Sequence, residues 1–87
     1  MARRYRAAVK QAMRDISEDK ISLDWQESPL VHSYKLQGFG LTQSEAIEVA
    51  AICEVCLSYR IFDWRLLPVS LLNNQIDLIT SQRRASA

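Results

Sequence analysis

Chain breakers are scarce here. Two glycines and two prolines in 87 residues supply too few turns for a many-stranded β fold and favour helices. A single histidine and two cysteines fall short of the four ligands a structural zinc site takes from one chain. No apolar stretch reaches the roughly 20 residues needed to cross a bilayer, because Glu48 and Glu54 interrupt the longest one. The basic start MARRYRAAVKQAM is not followed by the apolar core of a secretory signal. These absences point to a cytoplasmic protein with no membrane contact, in which both thiols stay reduced. Gly38-Phe39-Gly40 lacks the spacing and the lysine of a phosphate loop.

What is present is a chain of ordinary apolar content, 48%, long enough for one domain. Small domains bury only about 60% of their unfolded surface, so each apolar face must be used. Charge is segregated. Residues 1–20 hold six basic and three acidic side chains, residues 21–58 one and five, and residues 59–87 four and two. Basic ends and an acidic middle suit internal or head-to-tail pairing, and equally a basic surface for phosphate or an acidic protein.

Four helices are expected. Tyr5, Ala8, Val9, Ala12, Met13 and Ile16 recur at helical spacing over residues 2–18. Arg3, Arg6, Lys10 and Arg14 form a narrow stripe beside them, against the preference of a helix N-terminus for negative charge. Residues 19–28 alternate at Ile21, Leu23 and Trp25, which fits a short strand or an irregular connection. Ser28-Pro29 reads as a cap and first helical position for a short helix over residues 29–36. Thr42-Gln43-Ser44-Glu45 is a capping box for a long helix over residues 43–62. A last helix starts near Pro68, and residues 81–87 read as a flexible tail beyond a single domain of residues 1–80.

The long third helix dominates the reading. Its core, AIEVAAICEVCLSYRIF, is apolar on nearly all sides, whereas a surface helix shows one apolar stripe. Either the other helices wrap it or a second chain covers part of it. The expectation adopted is an isologous homodimer, with Ile47, Ala50, Ala51, Val55 and Leu57 at the interface. There is also an internal echo: Leu23-Asp24-Trp25 before Pro29 and Phe62-Asp63-Trp64 before Pro68 repeat at a spacing of 39 residues. A duplicated helical hairpin would explain the echo, and so would coincidence. In either case the two aspartates suit local caps and the two tryptophans suit anchors for the connections.

No catalytic set emerges. Cys53-x-x-Cys56 has redox or metal spacing, but it falls well inside the helix, away from the N-terminus that lowers a thiol pKa; core packing is the preferred role. His32 has no nucleophile context. Glu45 and Glu48 read as a solvated first turn. The sequence therefore points to an all-α bundle with no catalytic residue, no cofactor and no metal. It reads as a non-enzymatic regulator or adaptor that binds a protein partner, with Arg3, Arg6, Lys10 and Arg14 as the partner or phosphate surface. A DNA- or RNA-binding regulator using the same basic face is the alternative, and a thiol- or metal-dependent protein using Cys53 and Cys56 a remote one.

Overall fold

The computed structural model describes the backbone of residues 2–61 and 63–86 and the side chains of residues 7–61 and 63–84. The chain forms α1 (Ala2–Ser17), α2 (Pro29–Gly38), α3 (Gln43–Tyr59), a single 3-10 turn (Trp64–Leu66) and α4 (Val69–Ser86), with no strand among the described residues. It is the expected all-α bundle around a central apolar helix.

α3 starts where the capping box places it. The Glu45 amide donates to Thr42 Oγ1 at 3.2 Å, and the Thr42 amide donates to Glu45 Oε1 at 2.9 Å. Two orphan donors are thereby satisfied at the helix start. Burial then follows the sequence almost without a break: Ala46, Ile47, Val49, Ala50, Ala51, Ile52, Cys53 and Val55 are all buried. α1, α2 and α4 each pack on this helix, and α2 and α4 also pack on each other. The small side chains Ala46, Ala50 and Ala51 are fully enclosed, which lets neighbouring backbones approach closely.

α3 ends at Tyr59, short of the expected Phe62, a residue outside the described ones. Arg60 takes a left-handed conformation, φ 54°, and its amide donates to the Cys56 carbonyl. The Ile61 amide donates to the same carbonyl at 3.0 Å. This turn closes the helix as a C′ residue does, although the position favours glycine.

The connection after α1 is irregular, with no strand. Asp19 is left-handed, φ 60°, and the Lys20 and Ile21 amides both donate to the Asp15 carbonyl. The alternation seen in sequence survives as two inward plugs, since Ile21 and Leu23 are buried; among the described residues there is no strand for the segment to pair with. Ser28 caps α2 through its hydroxyl, which accepts from the Val31 amide at 3.3 Å. α2 runs two residues past the expected Leu36. After Phe39, Gly40 adopts φ 97°, a conformation glycine alone takes without strain.

α4 continues as helix through Ser86, where the sequence reading placed a tail from Ser81. Nothing in SQRRAS breaks a helix, and arginines near a C-terminus suit the helix dipole. Arg83 is also docked. Its guanidinium lies 4.3 Å from the centre of the Tyr34 ring and donates to Ser33 Oγ at 3.3 Å, tying α4 to α2.

Two outcomes check this packing. Ala51→Glu places a carboxylate where no solvent reaches, at a cost of several kcal/mol, and far-UV circular dichroism should show an unfolded chain; a folded variant would contradict the burial. Arg60→Gly removes the left-handed penalty and should raise stability by about 1 kcal/mol in chemical denaturation; an unchanged or lower midpoint would contradict it.

Candidate functional site

The two Asp-Trp pairs of the sequence make the same local turn. Asp24 Oδ1 accepts from the Gln26 amide at 3.0 Å and Asp63 Oδ1 from the Arg65 amide at 3.0 Å. Asn and Asp favour this side-chain turn because it mimics a backbone one. The tryptophans that follow are thereby aimed at one place. Trp25 and Trp64 both line a groove of about 650 Å³ between α1, the C-terminal end of α3 and the 3-10 turn. Trp64 packs half-buried on the core. Trp25 stays largely exposed but meets the His32 ring edge-on, with centroids 5.5 Å apart.

Cys53, Cys56, Leu57 and Ile61 contribute to the groove from the α3 side. Lys10, Met13, Arg14 and Ser17 line it from α1, at the i, i+3, i+4, i+7 spacing of one helix face. Arg65 completes it, its guanidinium held by Asp63 at 3.1 Å. That pairing holds the Asp63 carboxyl below its ordinary range. A second hollow of about 420 Å³ shares Lys10, Trp64 and Arg65 with the first and continues over Glu48, Ile52, Leu67 and Leu72. The two hollows form one seam along α3, from Glu48 to Cys56, about 12 Å at 1.5 Å per residue.

Lys10 and Arg14 are exposed at this seam, and neither belongs to an ion pair among the described residues. Arg3 and Arg6, expected on the same stripe, have side chains outside the described residues. Of the five residues expected to meet a second copy, Ile47, Ala50, Ala51 and Val55 are buried inside one chain. They serve the fold, packed within the bundle that α1, α2 and α4 build on α3. Leu57 alone is free, 47% exposed at the seam.

Neither thiol is activated for ionisation by its surroundings. Burial, with smaller contributions from Cys56 and Glu54, raises the Cys53 pKa from 9.0 to about 12. Burial, then Asp63, raises Cys56 as well. His32 is enclosed, and its Nε2 donates to the Asp24 carbonyl at 2.7 Å, the direction being fixed because a carbonyl can only accept. It braces the first Asp-Trp turn. Among the described residues no group of three or more His, Cys, Asp or Glu could hold a metal, and no helix is long and apolar enough to cross a membrane.

Sequence reading had found Lys10, Arg14 and the thiols but not the wall opposite them. Trp64 and Arg65 belong to the site because the Asp63 turn presents them, and the repeated Asp-Trp pair was the signal available. No known protein family, curated protein or solved structure matches the chain.

The raised thiol has a measurable consequence. Folded Cys53 keeps its proton to about pH 12, whereas an ordinary thiol releases it near 9.0. Between those values the native state binds more protons than the unfolded one, so stability falls as pH rises through that interval. Cys53→Ala should make the alkaline decline of the melting temperature shallower. Parallel declines in the two proteins would contradict the burial of this thiol.

Proposed function

We propose that this is a non-enzymatic adaptor or regulator of the cytoplasm that binds an acidic, amphipathic helix of another protein in the seam along α3. The observation that carries the reading is the pairing of two exposed cations, Lys10 and Arg14, which form no ion pair among the described residues, with an apolar lining that includes both tryptophans. Helix-in-groove recognition uses this combination: apolar anchors at i, i+4 and i+7 enter the groove while flanking charge sets orientation. Aromatic side chains at the centre of such a patch carry much of the binding energy. The seam is about two helical turns long, enough for one face of a short helix.

A second copy of the chain is the alternative occupant. It would meet Leu57 and the exposed Leu66 and Val69, since the other residues first assigned to self-association are enclosed. Nucleic acid would use the same two cations but leave the tryptophans without a role.

The test is a titration followed by the fluorescence of Trp25 and Trp64. The probe is a synthetic amphipathic helix with leucines at i, i+4 and i+7 and glutamates on both flanks. Binding should shift the emission, weaken with salt, and fall about tenfold or more in Lys10→Glu/Arg14→Glu. Equal affinity of that variant would overturn the assignment. Tight binding of duplex DNA, with a salt slope of about −0.9 per phosphate contacted, would replace it by the nucleic-acid reading. A two-chain mass in native mass spectrometry that is lost in Leu57→Glu would replace it by self-association.

A further inference from the structure

One cluster in the groove is left unused by the partner reading, and it is made of sulphur. Cys53 Sγ donates to Met13 Sδ across the α1–α3 contact at 3.9 Å. Cys56 lies three residues on, on the same side of α3 as its neighbour, and lines the same groove as Cys53 and Met13. Both cysteines are free thiols. We propose that Met13, Cys53 and Cys56 form a three-sulphur site for a soft monovalent cation, copper(I).

The ligand chemistry selects the ion. Thiolate and thioether donors favour copper(I), whereas carboxylates and carbonyls favour hard cations. A structural zinc site takes four protein ligands, and the groove presents three sulphurs, one of them a thioether, with no imidazole, because His32 is engaged with Asp24. The spacing agrees. Three sulphurs disposed trigonally at about 2.3 Å from a metal lie about 4 Å from one another, close to the separation found between Cys53 and Met13.

Binding needs no oxidant or reductant. Two S–H bonds break, two Cu–S bonds form with Met13 donating a third lone pair, two protons pass to solvent, and copper stays monovalent. The site then carries one extra negative charge. Lys10 and Arg14 on the same groove face that charge with no ion-pair partner among the described residues. Cys56 is only half-buried, so the ion can enter from the open side.

The experiment titrates the whole chain anaerobically with copper(I) against a coloured copper(I) chelator, then records copper-edge X-ray absorption. The expected results are one copper per chain, near-ultraviolet thiolate-to-copper absorption and three sulphur neighbours. Met13→Leu conserves volume and should weaken binding by about tenfold or more. Cys53→Ala/Cys56→Ala should abolish it, with circular dichroism reporting on the fold. Met13→Leu binding as tightly as the parent, two sulphur neighbours, or one copper held between two chains would each overturn the proposal. The absorption spectrum of the unaltered chain decides the question even where a variant fails to fold.

Discussion

A helix that is apolar on every side has to be enclosed, and α3 sets that requirement for the whole chain. Its buried positions run from Ala46 to Val55 with only Glu48 and Glu54 partly open. Interiors pack to near-crystalline density, so three surrounding helices can enclose a fourth only if the gaps between them are filled. Two irregular segments do that work. Ile21 and Leu23 enter from the connection after α1, and Trp64 and Leu67 pack against the core from the segment before α4. The strip left open is the seam along α1, where the exposed Lys10 and Arg14 lie beside the sulphur-bearing edge of the core.

The seam therefore follows from the fold. Lys10 and Arg14 lie beside Met13 because a basic stripe and an apolar stripe run next to each other on α1. Cys53 and Cys56 lie beneath them because α3 turns that side toward α1. Trp25 and Trp64 line the groove because two aspartates make the same side-chain turn at the two helix junctions. After those turns the paths diverge, into a serine-capped α2 of ten residues on one side and a 3-10 turn and an α4 of eighteen on the other. What the two copies of the echo share is the side-chain turn itself.

Much of the fold was legible in the sequence wherever local chemistry decides. The capping box at Thr42, the Ser28-Pro29 start and the helical spacing of Val9, Ala12, Met13 and Ile16 each act within a few residues, and each holds in the structure. What was not legible depends on distant contacts. The enclosure of Ile47, Ala50, Ala51 and Val55 by one chain needs the total reach of three other helices, a quantity no window of sequence contains. The last turns of α4 depend on Arg83 finding Tyr34 and Ser33, about fifty positions earlier. The core places of His32 and Ser33 come from a segment with no helical amphipathicity to reveal them. At the site, the residues on α1 and α3 were legible and the wall built by a turn was not.

One chain suffices to enclose α3. Hydrogen exchange read by mass spectrometry, repeated over a wide range of protein concentration, tests it most directly. The amides of residues 46–55 should be the slowest in the chain and exchange at a rate independent of concentration, because their protection is intramolecular. Protection of that segment that is lost on dilution would mean that a second chain supplies the missing cover, and would contradict the enclosure described above.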